Sequence, residues 1–457
     1  MKPKVTVYIT NHNYGSYIEQ AIQSVLDQSM QDFELIIIDD GSTDKSLKII
    51  ARYETLDNVF IILQENKGLN VSNNIALKQA RGKYIMRLDA DDFLDKHALE
   101  LMVSVLEKKP ELAIVFPDYY LVDNEGEIIT QVRRHNFNKD VTLKDQPAHG
   151  ACTMIRRKVL LKIGGYDETF NRQDGYDLWL NIINDYSIEN VNLPLFYYRQ
   201  HGKNLTKDEA QLLETRSNII AKHAKKKSDK NLSVLAIIPV RGSVIDPRSS
   251  PLKPLGQKAL IDWTIDAALN SSNLKDVLLT TPDKRVFHHV KKKYGHKVLC
   301  RKRSIELARI NQKLNKTLVD ALNFYCDTHP RPDAIMILNI ETPFRASIYI
   351  DKAIHVMHLY DVDSVIGVRM DTDIFYVHDG SGLRPRIAKN GLRLERDDLY
   401  RKAGGMTLVT EKYLLKEKKM VGGRVGHIQL DQRAAFTIQS ELDWAIANVI
   451  ESEHVSV

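Results

Sequence analysis

Apolar runs that each stop on a polar loop and lead into an amphipathic stretch limit this chain's fold more than any other feature. Residues 4–10 alternate as a strand and end on the polar loop 11–16. Ile18, Ala21, Ile22, Val25 and Leu26 then share one helical face over residues 17–28. Residues 33–38 form an apolar run that stops at Asp39-Asp40-Gly41-Ser42-Thr43-Asp44, ahead of a helix over 45–53 and a strand over 59–63. The strand over 83–86 closes in Arg87-Leu88-Asp89-Ala90-Asp91-Asp92, and a helix is expected over 94–106. Strand, helix, strand in series predicts a parallel α/β sheet, which binds ligands at the carboxyl ends of its strands. Thr10, the Asp39-Asp40 pair and the 89–92 segment all fall at such ends, so they are expected to share one crevice.

Three carboxylates within the four residues 89–92 crowd negative charge onto one loop. Such a loop calls for a cation, and hard oxygen ligands suit Mg²⁺ or Mn²⁺. The plain alternative is a solvated turn in which Asp92 or Asp95 caps the next helix. At 457 residues, with 43% hydrophobic and 27% charged residues, the chain suits two globular domains. A net charge of +6 is modest for this length. With no aromatic-basic interleaving and no zinc-finger spacing, no nucleic-acid partner is expected. Cys152, Cys300 and Cys326 lack Cys-x-x-Cys spacing and read as buried thiols of a reducing compartment. No apolar leader opens the sequence and no apolar run approaches the roughly 18 residues of a membrane span, so a cytoplasmic protein is expected.

Ile9-Thr10-Asn11-His12-Asn13, Ser24-Val25-Leu26-Asp27-Gln28-Ser29, the 33–44 segment and Asp89-Ala90-Asp91-Asp92 together resemble the family-2 glycosyltransferases of GT-A fold, over residues 4–206. The resemblance implies that Thr10 and Asp40 hold the nucleotide base with Asn13 beside them. It implies Asp89 for the ribose and Asp91 for the metal. Ser72-Asn73-Asn74 departs from the family's Ala-Arg-Asn, which removes one cation from the donor phosphates. Gln173-Asp174 stands where the family has Glu-Asp, so Asp174 is the expected base of an inverting transfer; its other reading is a helix N-cap. Arg199 and His201, in Tyr-Arg-x-His-Gly, resemble the segment that closes over the donor phosphates, Arg199 toward the nucleotide and His201 toward the metal. His149 is a weaker candidate for the acceptor side. The implied partners are a nucleotide-sugar donor, UDP-linked, and a glycan or lipid-linked acceptor in bacterial surface polysaccharide synthesis.

A helix over 206–227 ends in Lys222-His223-Ala224-Lys225-Lys226-Lys227, a solvated helix end or a contact for an anionic membrane. The division expected is a first domain over 1–206, a helical basic linker over 207–231 with the boundary near Ser228 to Asn231, and a second domain over 232–457. The second series has strands over 232–239, 277–281, 335–338 and 364–368 and a helix over 260–269. Its Ile238-Pro239-Val240-Arg241-Gly242, Leu252-Lys253-Pro254-Leu255 and Leu338-Asn339-Ile340-Glu341-Thr342-Pro343-Phe344-Arg345 resemble the acylneuraminate cytidylyltransferases. The fold class expected is therefore α/β, two nucleotide-diphospho-sugar-transferase-like domains of Rossmann-like, GT-A type in tandem.

The catalytic positions of that second family have changed. Ser243-Val244-Ile245-Asp246 replaces a lysine-bearing phosphate loop, Thr280-Thr281-Pro282 replaces Ser-Thr-Asp, and Thr437-Ile438-Gln439 stands at its metal-binding Asp-Ile-Asp. Thr and Gln are poor ligands for a hard cation. Asp371-Thr372-Asp373 reads as a solvated loop. The reading is a metal-dependent, inverting glycosyltransferase with a non-catalytic second domain through which the chain self-associates. The alternatives are a bifunctional enzyme that also makes CMP-nonulosonic acid, and a pure docking module.

Overall fold

Burial on both faces shapes the first sheet: all eight residues of its strand Phe33–Asp40 are covered, as a central parallel strand requires. The computed structural model describes residues 2–134, 143, 145, 150–201, 209–227, 232–371, 373, 375–385 and 399–454. His149, Thr372 and the boundary at Ser228 to Asn231 lie outside them. Two compact units are present, the second beginning at Glu209.

In order, the first unit holds β1 (Val5–Asn11), α1 (Ile18–Leu26), β2 (Phe33–Asp40), α2 (Ser46–Ile50), β3 (Val59–Gln64), α3 (Leu69–Gln79), β4 (Tyr84–Asp89), β5 (Phe93–Leu94) and α4 (Ala98–Lys108). There follow β6 (Leu112–Val122), β7 (Ile128–Val132), β8 (Met154–Arg156), α5 (Arg157–Lys162), α6 (Asp174–Ile182) and β9 (Ser187–Arg199). The strand order is β3-β2-β1-β4-β8-β6-β9-β5, with β7 paired to β6. Ile18, Ala21, Ile22 and Val25 face the core from α1. Register sets Thr10 between Ile38 and Asp89, and Asn11 beside Asp39, so the strand ends meet in one row.

The helix expected over 94–106 begins instead at Ala98. Phe93 and Leu94 pair antiparallel with Tyr197 and Phe196, and sheet hydrogen bonds hold them out of the helix. His97 stands at the N-cap; Asp95 Oδ1 accepts the His97 N–H in a turn just ahead of it.

The second unit runs α7 (Glu209–Lys227), β10 (Val234–Pro239), β11 (Pro254–Leu255), β12 (Lys258–Ala259), α8 (Leu260–Leu269), β13 (Asp276–Thr281), α9 (Lys284–Tyr294), β14 (Leu299–Lys302), α10 (Ile305–Ala308), α11 (Leu314–Cys326), β15 (Ala334–Leu338) and α12 (Ser347–Tyr360). It continues through β16 (Ser364–Asp371), β17 (Tyr376–His378), β18 (Leu383–Pro385), β19 (Leu399–Thr410), α13 (Glu411–Glu417), β20 (Val425–Gln429) and α14 (Glu441–His454). Its main sheet is ordered β14-β13-β10-β15-β19-β16-β20. Setting aside the short β5 and β7, the main strands of both units read, by rank in the chain, third, second, first, fourth, sixth, fifth, seventh. In each the sixth runs antiparallel to both neighbours. The chain is one α/β fold built twice.

Asp371, expected in a solvated loop, is the last residue of β16; it lies opposite Leu399 with its carboxylate 3.4 Å from Arg401 Nε. The basic helix α7 packs on α12 inside the second unit. Lys227 Nζ donates to the His358 and Leu359 carbonyls at 3.0 and 3.2 Å and pairs with Asp361, so it caps α12. Among the described residues no helix is long and apolar enough to cross a membrane.

Lys352, on the same α12 face, is only 2% exposed. Its ammonium donates to Leu213 O at 3.4 Å. Burial, with Arg216 adding repulsion, brings its pKa from 10.5 down to about 7. The unfolded chain binds this proton more tightly, so Lys352 destabilises the fold increasingly as pH falls from 10.5 toward 7. Lys352→Met should therefore raise stability at pH 7 by about 1–3 kcal/mol and have little effect near pH 10. Denaturant unfolding of both full-length proteins at the two pH values measures this; an equal gain at both would refute it.

Candidate active site

The loops at the ends of β1 and β2 are tied together by short side chains. Asn11 Nδ2 donates to Asp39 Oδ2 at 2.7 Å and to Ser42 Oγ at 3.0 Å. Asp39 Oδ1 accepts the Ser42 N–H at 2.8 Å. Asp39 thus holds the turn from within. Gly41 sits at φ +79° with Asn66 N 2.7 Å from where a Cβ would stand, so this turn requires glycine. Asn13, also left-handed at φ 62°, donates its N–H to Ser42 Oγ and accepts from Thr43 N. Asp40 reaches sideways: its carboxylate accepts Gln64 Nε2 at 2.6 Å and the Lys67 and Gly68 N–H groups at 2.8 Å. It orders the turn that opens α3, beside the half-buried Thr10.

Arg87 lies at the centre. It is 6% exposed on a strand otherwise apolar from Tyr84 to Leu88. Its Nε is 2.8 Å from Asp89 Oδ1, and its Nη1 pairs with Asp174 Oδ2. One guanidinium therefore joins the acidic loop to the candidate base. Gly150 passes directly over it, where a Cβ would stand 2.9 Å from Arg87 Nη2. Burial pushes the Asp89 carboxyl up to about 6; Asp91 and Asp174 add repulsion and Arg87 opposes it. Burial raises Asp92 as well, with Asp91 and Asp89 adding to it, and its Oδ2 is enclosed without a hydrogen-bond partner.

Asp174 is the first residue of α6, not its N-cap. That position is taken by Gln173 at φ 58°, which leaves the Asp174 carboxylate to Arg87. Asn73, at the position of the family's Arg, is buried and accepts the Tyr8 hydroxyl at 3.2 Å, so the missing cation is not restored there.

Arg199, expected on the nucleotide, is turned into the protein beneath the acidic loop. Its N–H donates to Asp92 Oδ1 and its Nε to Asp91 O, each at 2.9 Å. Its Nη1 donates to the Asp123 and Asn124 carbonyls at 3.2 and 2.7 Å, and its Nη2 to Gln20 Oε1 at 2.6 Å. It clasps the loop rather than opening toward a ligand.

His201 Nε2 is 2.9 Å from Asp91 Oδ2, and the ring stacks on Tyr17 at 5.4 Å between centroids. Tyr14 lies edge-on to that ring. Burial and the three neighbouring carboxylates hold its phenol above the usual range.

Whether these groups fit a metal follows from their donors. Among the described residues no three His, Cys, Asp or Glu form a ready cage. Asp91 and His201 nevertheless present adjoining oxygen and nitrogen donors, with Asp89 close by and an orphaned Asp92 oxygen behind. Mg²⁺ is commonly bound by one or two carboxylates with the remainder from waters and substrate phosphates. The residues fit an open site of that kind.

At the equivalent end of the second unit, opposite charges pair among themselves. Arg241 Nη1 stands 3.9 Å from Asp246 Oδ2. Arg345, 2% exposed, donates Nη1 to the Gly404 and Gly405 carbonyls at 2.7 and 3.3 Å. Burial and Asp246 raise the Glu341 carboxyl. Thr437 Oγ1 meets Thr342 Oγ1 at 3.4 Å, and Val244 is 78% exposed.

The sequence pattern points to Asp89, Asp91, Asp174 and His201, which the structure brings to one end of the sheet. Arg87 carried a signal that went unread: a lone cation in an apolar strand needs a buried carboxylate.

Residues 6–164 match the family model described as Glycosyl transferase family 2, and residues 235–353 the one described as Cytidylyltransferase. Among curated relatives, a chondroitin synthase of Escherichia coli is 30% identical over 207 residues, 44% of this chain and 30% of its own length. An uncharacterised glycosyltransferase of Methanocaldococcus jannaschii is 31% identical over 207 residues, 43% of this chain and 71% of its own. The O-antigen biosynthesis glycosyltransferase WbnJ of Escherichia coli is 32% identical over 235 residues, 50% of this chain and 91% of its own. This chain thus spans under a third of the first of these.

Arg199→Lys keeps the charge but loses the fork that serves several acceptors at once. Destabilisation of about 2–4 kcal/mol is expected from the buried carbonyls left unpaired. Thermal unfolding of the full chain checks this; an unchanged midpoint would show that the clasp contributes nothing.

Proposed function

We propose that this chain, which belongs to glycosyltransferase family 2 through its first unit, transfers a sugar from a nucleotide donor to a hydroxyl acceptor with inversion at the anomeric carbon. The observation that supports this most is the Asp89–Arg87–Asp174 chain, which couples a carboxylate on the donor side to a base on the acceptor side. Asp174, oriented by Arg87, accepts the proton of the attacking hydroxyl. The hydroxyl oxygen bonds to the anomeric carbon as the bond to the nucleoside diphosphate breaks on the opposite face. Thr10, Asn13 and Asp40 form the base pocket, with Asp40 shaping it through the Lys67–Gly68 turn. Asp89 meets the ribose. Arg199 acts through the loop it clasps.

Asp91 and His201 would hold Mg²⁺ or Mn²⁺, which when bound neutralises charge on the departing diphosphate. With Asn73 in place of an Arg, that neutralisation falls more heavily on this pair. The names of the chondroitin and O-antigen relatives support a glycan product in bacterial surface polysaccharide synthesis; the donor in this reading is UDP-linked and the acceptor a glycan or lipid-linked glycan. The setting is the cytoplasmic face of the membrane, touched peripherally.

The second unit is a relative of the cytidylyltransferases that holds the transferase in an assembly. Leu442, Ile446 and Val449 stand exposed on α14 at i, i+4 and i+7, a face suited to a second copy.

A panel of nucleotide sugars, with and without acceptor glycans, tests the transferase reading through release of the nucleoside diphosphate. Asp174→Asn should lower kcat on the order of 10²–10⁴-fold with stability nearly unchanged. Asp91→Asn and EDTA should each abolish transfer. Full activity in EDTA would remove the metal, and a kcat within a few-fold for Asp174→Asn would remove the base.

Cytidylyl transfer must gather a triphosphate, a metal and a sugar carboxylate in one pocket, which needs free cations. Here Arg241 faces Asp246, Arg345 serves backbone carbonyls and Glu341 adds a carboxyl. The full chain should release no pyrophosphate from CTP with any nonulosonic acid. Sustained release would make the protein bifunctional.

A further inference from the structure

Residues 284–303 hold nine lysines and arginines and no carboxylate. Part of that charge is used within the second unit. Arg303 is buried with Nη2 on Val240 O, Arg301 pairs with Asp320, Lys293 with Asp262 and Arg285 with Asp283. Lys284, Lys291, Lys292, Lys297 and Lys302 are exposed and form no ion pair among the described residues. Val286 and Val290 bury one side of α9, and Lys284, His288 and Lys291, at i, i+4 and i+7, line the other with Arg285 and Lys292. Lys302 lies opposite Thr281, three residues before Lys284, so it joins the same face at its start. The end of α7 is different. Lys227 is committed to α12, and Lys222 and Lys226 also have partners.

We infer that this α9 face docks on an anionic lipid bilayer. The inference rests on the peripheral membrane contact proposed above and assigns its surface. The unpaired cations are lysines, point charges without the planar fork that reads a single phosphate or carboxylate. They are spread along a helix of about 16 Å. Such a layout matches a sheet of headgroup charge, to which each lysine near the surface contributes additively. Single-stranded nucleic acid would need aromatic platforms, and Phe287 is half-buried with the Lys291 ammonium 5.3 Å from its ring centre.

The test is cosedimentation of the full-length protein with vesicles of phosphatidylglycerol and phosphatidylcholine in equal parts, against phosphatidylcholine alone. The comparison protein carries Lys284→Gln, Lys291→Gln, Lys292→Gln and Lys297→Gln, all exposed, with its fold checked by thermal unfolding. Wild type should bind the anionic vesicles, release as ionic strength rises, and ignore the neutral ones. The quadruple variant should bind several hundredfold more weakly, at roughly fivefold per lysine, while transfer to a soluble acceptor is unchanged. Wild type that fails to bind anionic vesicles would overturn the membrane reading itself. Wild type and variant binding equally would overturn only the assignment to α9. Binding to duplex DNA or an acidic polysaccharide but not to vesicles would overturn lipid in favour of that polyanion.

Discussion

A single guanidinium shared by two carboxylates organises the first unit. Arg87 enters the sheet on β4 between apolar neighbours and meets Asp89 on one side and Asp174 on the other. A buried cation with one partner removed is costly, on the order of 3–5 kcal/mol, so the structure around it is closely constrained. Gly150 has no side chain because one would strike the guanidinium, and Gln173 takes a left-handed backbone so that α6 opens with Asp174 facing it. The same contact that holds the fold at this point sets the distance between the Asp89 and Asp174 carboxylates.

The two units show how one topology carries different chemistry. Their main strands share order and direction, so their ligand-binding ends are equivalent. In the first unit Asp89, Asp91 and Asp92 are held together, and burial, with their mutual repulsion added, raises the Asp89 and Asp92 carboxyls. The proposed divalent cation would relieve that repulsion. In the second, Asp246 and Glu341 lie near Arg241 and Arg345.

Much of this was legible in the residues. The apolar runs ending in polar loops named the strands, and α8 was read at its observed bounds. Boundaries were lost where long-range pairing decided them. Leu94 looks helical beside Leu99 and Met102, yet its backbone, with that of Phe93, goes to β9, more than a hundred residues away in sequence. The resemblance makes Arg199 a ligand group, and nothing local shows that its guanidinium meets the Asp91, Asp123 and Asn124 carbonyls and Gln20 Oε1. Sequence reports which groups are present; which of them are already engaged depends on contacts across the fold.

That distinction also bears on how the donor is held. Three positions at this end offer no uncommitted cation among the described residues: Asn73 stands where the family has an arginine, Arg87 is divided between two carboxylates and Arg199 is turned inward. Two phosphates brought to such a loop would meet three carboxylates at close range, a repulsion that partial burial enlarges. The divalent cation proposed at Asp91 and His201 would reverse that sign; His201 is held against Tyr17 with its Nε2 2.9 Å from the Asp91 carboxylate. On the proposed reading, donor affinity should therefore depend more on that pair than it would with an arginine at Asn73, and the Arg199 clasp on the Asp91 carbonyl would bear on donor binding without touching substrate.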